Sequence, residues 1–190
     1  MRILYVCTGN VCRSPYAERR TRALLGSDPE GLDVGSAGTR ALVDAPVDEH
    51  TARLLAEHGL TADGHRGRRL TAAMVDGAAL VLTMTTEQRG AVLELVPGAL
   101  RRTFTLTEAM TLADMLDPAD DAPDGTPEAR LTALVPRLAS ARGRLARPHP
   151  GFPDVVDPIG RSLAVHRQAA AAIDAALEEL LPRLVTGSAR

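Results

Sequence analysis

The sequence predicts an α/β fold built on a parallel sheet, and three observations predict it. Strand signals recur along the chain, at the short apolar run Ile3-Leu4-Tyr5-Val6, around Val34, from Leu80 to Met84 and at Thr103. Helix-forming segments separate these signals, which is the alternation of βαβ units. Crossovers of this kind are right-handed and leave ligands at the carboxyl ends of the strands; Cys7 stands at such an end. The order of the strands does not follow from the pattern.

The elements are justified in turn. From the first strand the chain passes through Cys7-Thr8-Gly9-Asn10-Val11-Cys12-Arg13-Ser14 into a run of helix formers, Ala17 to Leu25. Pro15 suits the first helical turn, where its missing amide would have had no partner. After the strand at Val34, Val47 to His58 reads as a helix closed by Gly59. Thr71 caps a short helix, the strand Leu80 to Met84 follows, and Thr85 or Thr86 caps a helix that reaches about Val96 and stops at Pro97-Gly98. The strand at Thr103 leads into a short helix from Glu108 to Met115. Asp117 to Gly125 is acidic and proline-rich with little to bury, hence an exposed loop. Thr126-Pro127-Glu128 opens a helix in which Leu131, Leu134, Val135 and Leu138 recur at helical spacing; it ends in the basic run Arg142 to Arg147 and the breaker Pro148-His149-Pro150-Gly151. A last helix, Ser162 to Val185, turns Ile173, Leu177, Leu180, Leu181 and Leu184 to the core.

Composition narrows the function. A chain of 190 residues suits one domain, 1–190, and a net charge of −2 argues against nucleic-acid or membrane partners recruited by bulk charge. The apolar stretch after Arg2 is too short for a signal peptide and no run approaches a membrane span, so a cytoplasmic location is expected. Two cysteines in one loop exclude a disulfide framework and a thiolate-rich zinc site, and no metal is expected. Cys7 and Cys12 either pair reversibly on oxidation, making Cys12 a redox partner, or Cys12 packs as a small residue; both readings stand. His50, His58, His149 and His166 lack ligand spacing and read as ordinary surface or helix residues.

The loop itself carries chemistry. Its free amides and the positive end of the following helix point at whatever sits above Cys7, and a dianionic phosphoryl group suits them. A thiol so placed is favoured as the thiolate, the nucleophilic form. Arg13 can fork two N–H groups onto phosphoryl oxygens, and Ser14 can donate to the sulfur, as nucleophile and later as leaving group. Gly9 permits close backbone approach, and Asn10 tolerates the left-handed conformation such a nest needs. A cysteine followed six places on by arginine arises by chance ~0.2 times at this composition, so the flanking strand, glycine, asparagine, serine and helix carry the reading.

This loop resembles the signature of the low molecular weight protein tyrosine phosphatase family. Val34-Gly35-Ser36-Ala37-Gly38-Thr39, Leu80 to Thr85 and Thr103 to Leu106 are similar to its second, third and fourth strands, and Asp154 to Ser162 to its general-acid loop. The resemblance implies a four-stranded, doubly wound sheet with helices on both faces and a metal-independent phosphatase without cofactors. It implies Cys7 as nucleophile, Arg13 as clamp and Asp157 as general acid, with Thr8, Gly9, Asn10, Val11, Cys12, Arg13 and Ser14 binding phosphate. Ser14, Ser36 and His65 join Asn10 in a supporting hydrogen-bond network. Asp154 is the nearest competitor for the acid role. The arginines Arg66, Arg68 and Arg69 read as a solvated loop.

Two departures bear on substrate. Ile159 stands where family members place an aromatic residue after Asp-Pro, and the chain's aromatics are only Tyr5, Tyr16, Phe104 and Phe152, so fewer rings are available to stack on phosphotyrosine. Phosphoarginine-specific members carry threonine where Val11 stands, and valine has no hydroxyl, which tilts the reading to phosphotyrosine. Protein-arginine phosphatase, small-thiol-dependent arsenate reductase and a non-catalytic phosphate-binding module are the alternatives. A phosphoprotein or small phosphomonoester is the expected partner, with phosphate or sulfate as the simplest loop ligand. Residues 115–150, an inserted helix and its loop, are expected to border the mouth of the site, because they lead into the acid loop.

Overall fold

A computed structural model describes residues 1–26, 31–117, 126–145 and 151–184. The rest, including 118–125 of the acidic loop, Ala146, Arg147, Pro148-His149-Pro150 and Val185, lie outside the described residues.

Strands β1 (Arg2–Cys7), β2 (Asp33–Gly38), β3 (Leu80–Thr83) and β4 (Thr103–Thr105) form one parallel sheet in the order β2-β1-β3-β4. The order reverses on either side of β1, so Cys7 ends the strand that flanks the topological switch point. The unbroken apolar run of β1 follows from covering both faces of the sheet. Ile3, Tyr5 and Cys7 enter one core, whereas Leu4 and Val6 enter the other.

The larger core is closed by α1 (Arg13–Leu25), α2 (Glu49–Glu57), α5 (Leu106–Asp114), α6 (Pro127–Arg144) and α7 (Leu163–Leu180). The smaller takes Val75 of α3 (Ala72–Asp76) and Val92 of α4 (Thr86–Leu95). Caps set several boundaries. Thr71 and Thr85 cap α3 and α4 as expected, and Thr85 pairs with Gln88 in a capping box. Helix α2 starts at Glu49 rather than Val47, because Asp48 accepts the His50 and Thr51 amides. Helix α5 leaves β4 directly at Leu106, before Glu108, through a Thr105–Glu108 capping box. The last helix yields at Leu180 to a 3-10 turn, Leu181–Arg183, where Pro182 has no amide to extend it; Leu184 is still buried.

Helix α6 does not border the site mouth. Its apolar face, Leu131, Leu134, Leu138 and Ala141, is buried in the larger core, and the helix packs on α5 and on the 3-10 turn Pro97–Arg102. Near its start Glu128 lies 3.8 Å from the Met1 ammonium; near its end Arg142 bonds Glu108 and the Thr103 carbonyl and lies 4.1 Å over the Phe104 ring. The leucine stripe draws the helix to apolar surface below the sheet's edge. Among the described residues, none from 115 to 145 lines the pocket above Cys7.

Candidate active site

Cys7 is the last residue of β1 and Arg13 the first of α1, so the residues between wrap around the Cys7 sulfur. Cys7 Sγ accepts the Asn10 amide at 3.2 Å and lies 3.0 Å from Ser14 Oγ. Asn10 Nδ2 donates to Ser14 Oγ and Ser36 Oγ, both at 2.9 Å, and the Ser14 hydroxyl, whose other acceptor is the Ala37 carbonyl at 3.5 Å, can turn its proton to a thiolate at Cys7. Asn10 has φ +56°, the left-handed backbone that points its amide at the sulfur. Its Oδ1 accepts the Arg68 amide at 2.9 Å and its carbonyl accepts His65 Nε2 at 2.7 Å, so His65 carries its proton on Nε2. Burial pushes the His65 pKa down, against its bond to Asn10. Ser36 Oγ donates to Glu18 at 2.6 Å. Asn10, Ser14, Ser36 and His65 are thus one buried network.

Arg13 is 3% exposed and enters from the helix side. Its Nη1 donates to the Val155 carbonyl at 3.0 Å and its Nη2 pairs with Asp157 at 2.8 Å. Its Nε is buried with no hydrogen-bond partner, a donor suited to a phosphoryl oxygen. Asp157 is half exposed on a loop held by Val155 N on the Met84 carbonyl at 2.9 Å and by Thr107 on the Pro153 carbonyl at 2.7 Å. Asp154, the competitor, accepts the Thr86 amide at 2.8 Å in the first turn of α4.

The pocket above Cys7 has a volume of about 150 Å3. The loop forms its floor, Asp157 one side, and Arg40, Leu42 and Ile159 the rest of the rim. The sequence reading missed Arg40 and Leu42. They arrive because the segment after β2 continues along the loop, with Arg40 N on the Thr8 carbonyl at 3.0 Å and Leu42 N on the Gly9 carbonyl at 2.9 Å. Gly38 permits that approach, since a Cβ there would meet the Thr8 carbonyl oxygen at 2.5 Å. Gln88, also missed, donates to Thr8 Oγ1 at 3.1 Å while closing the α4 cap. Only its place three residues after Thr85 marked it, and then as a cap.

Cys12 faces partly into this pocket and partly into a small cleft on the far side of the loop. Burial, reinforced by Asp48, pushes its thiol up to about 12. Cys7 and Cys12 are both free thiols. His166, read from sequence as an ordinary helix or surface residue, is 2% exposed and lies 3.1 Å from Thr51 Oγ1 in that cleft.

Known proteins share this arrangement of chain. The model of the family described as low molecular weight phosphotyrosine protein phosphatase matches residues 2–130. Low molecular weight protein-tyrosine-phosphatase Etp of Escherichia coli K12 is 39% identical over 116 residues, 61% of this chain and 76% of the relative. A protein-arginine-phosphatase of Geobacillus stearothermophilus is 37% identical over 142 residues, 73% of this chain and 93% of the relative. The solved YwlE arginine phosphatase from the same organism superposes with a TM-score of 0.70 at 27% identity, covering 96% of this chain and 92% of that one. The Erwinia amylovora tyrosine phosphatase AmsI, at 23% identity and a TM-score of 0.66 over 95% of this chain and 90% of its own, shares the fold. With its matched segment spanning more than half its length, the chain belongs to the low molecular weight phosphotyrosine protein phosphatase family.

Proposed function

We propose that this phosphatase hydrolyses phosphotyrosine in proteins, and small aryl phosphomonoesters with it, through a phosphocysteine on Cys7. The observation that carries the reading is the convergence of Cys7 Sγ, the Ser14 hydroxyl, the Arg13 guanidinium and the Asp157 carboxylate on one pocket. A phosphoryl group entering it takes the loop amides and Arg13, and Arg13 N–H groups now on Asp157 turn to its oxygens. The Cys7 thiolate attacks phosphorus while protonated Asp157 gives its proton to the departing oxygen. The S–P bond forms as the P–O bond to the substrate breaks. In the second half, ionised Asp157 takes a proton from water, which attacks phosphorus and releases inorganic phosphate. Cys7 leaves as a thiolate, stabilised by the Ser14 hydroxyl and the Asn10 amide. Neither half calls for a cofactor. We place the reaction in the cytoplasm, where thiols stay reduced; no helix among the described residues is long and apolar enough to cross a membrane.

The rim supports an aryl substrate. Val11, Leu42 and Ile159 gather over Gly9, where an added Cβ would meet each at 3.5 to 3.9 Å. They offer an aliphatic wall for a ring and no hydroxyl for a guanidinium. Protein-arginine phosphatase is the second reading, favoured by the greater coverage of the Geobacillus relative.

Kinetics on p-nitrophenyl phosphate test the mechanism. Cys7→Ser is expected to abolish turnover, and Asp157→Ala to lower kcat by about 10²–10⁴; unchanged turnover in Cys7→Ser overturns the proposal. For the substrate, kcat/KM on a phosphotyrosine peptide should exceed that on its phosphoarginine counterpart, and the reverse order selects the second reading.

A further inference from the structure

We propose a site for a transition-metal dication of the zinc class on the far side of the phosphate loop, built from Cys12 Sγ, the Asp48 carboxylate and His166. These ligand atoms come from three separate elements, the loop, the start of α2 and the first turn of α7, and all lie within 4.8 Å of one another. The pair His166 Nδ1 and Asp48 Oδ1 is 3.6 Å apart, against about 3.5 Å between ligand atoms on a tetrahedral zinc with bonds of 2.0–2.3 Å. A small cleft of about 10 Å3 adjoins these ligand atoms, lined by Cys12, Thr51, His166 and Arg13, with Asp48 outside its lining.

The donor chemistry fits. One thiolate and one carboxylate balance a dication, and neutral imidazole adds a borderline ligand, a set suited to zinc. Thr51 Oγ1, 3.1 Å from Nδ1, or a water supplies the fourth position. His166 is 2% exposed, with Nδ1 toward Thr51 and Asp48. With Nδ1 on the metal the ring proton stays on Nε2, and His166 has a backbone hydrogen-bond partner in Pro158 to receive it. Binding forms the S–metal bond and breaks the Cys12 S–H bond, whose proton goes to water. Asp48 and His166 lie outside the proposed catalytic set, whereas Cys12 belongs to the phosphate loop and lines both the pocket above Cys7 and the cleft behind it. Occupation of the metal site ties the loop bearing Arg13 to α2 and α7.

The Cys7→Ser protein tests this directly, because Cys12 is then its only sulfhydryl. Titration with Co2+ alone should produce a thiolate-to-cobalt charge-transfer band that saturates at one ion per chain and disappears on adding Zn2+, which binds such sites more tightly. In the same background Cys12→Ser and His166→Phe should remove the band, and Asp48→Asn, which keeps an oxygen to cap α2, should weaken Co2+ affinity roughly tenfold or more. Zn2+ should raise the melting temperature of Cys7→Ser but not of Cys7→Ser/Cys12→Ser. The absence of a band, a band undiminished by both His166→Phe and Asp48→Asn, or equal stabilisation of the double variant overturns the proposal. Should His166→Phe fail to fold, Asp48→Asn and Cys12→Ser still decide it.

Discussion

Asn10 concentrates more of the site's organisation than Cys7 does. Its amide, carbonyl, Oδ1 and Nδ2 are all engaged, with Cys7, His65, Arg68, Ser14 and Ser36, and its backbone is left-handed. Alanine removes the side-chain bonds and resists the backbone, leaving the Arg68 amide without its acceptor. Asn10→Ala is therefore expected to cost about 3 kcal/mol in denaturant unfolding and to lower kcat; an unchanged midpoint contradicts this. Neighbouring His65 is held neutral. Its folded-state pKa lies below the unfolded value of about 6.5, so the unfolded chain binds the proton more readily. The stability it contributes is complete above that value and is lost as pH falls below it. Unfolding free energy should decline on acidification below about pH 6.5, and less steeply in His65→Gln. Burial, reinforced by Asp48, pushes the Cys12 thiol up to about 12, which favours its protonated form at neutral pH. Brief treatment with iodoacetamide should label Cys7 and leave Cys12 unmodified, as peptide mass spectrometry would read.

Among the elements, α6 has the clearest separable role. It covers the apolar side of α5 with Leu131, Leu134 and Leu138, and Arg142 clasps Glu108 and the Phe104 ring at the sheet edge. Leu138→Ala should lower stability by about 2–5 kcal/mol while kcat/KM at a permissive temperature stays unchanged; a changed KM would return the helix to the mouth. Caps read well from sequence where a hydroxyl stood alone before a helix former, as at Thr71 and Thr126, while at α4 the sequence left Thr85 and Thr86 open and the structure selects Thr85. They read less well at Asp48 and Thr105. Val47 extended the apparent helix past the first, and β4 runs into α5 at the second with no turn residue between.

At the scale of the whole molecule, the site is assembled across the sheet. Arg13 and Asp157 lie far apart in the sequence yet meet because β1 is interior to the sheet and the loop bearing Asp157 is pinned to Met84 beside it. Removing 115–150 should yield an unstable or aggregating chain, as read by thermal melt and light scattering, rather than a folded enzyme of altered selectivity. A stable variant with new peptide preference would contradict the packing of α6. The sequence by itself determined the α/β class, the loop between β1 and α1 that carries Cys7 and Arg13, which we propose as nucleophile and clamp, and the caps of α3 and α6, because each depends on chemistry within a few neighbouring residues. Only the tertiary structure decided the strand order, the joining of Arg40 and Leu42 to the rim, the covering role of α6, and the meeting of Cys12, Asp48 and His166. These rest on contacts between residues far apart in the chain, which follow from how strands and helices stack and leave no periodic trace in the sequence.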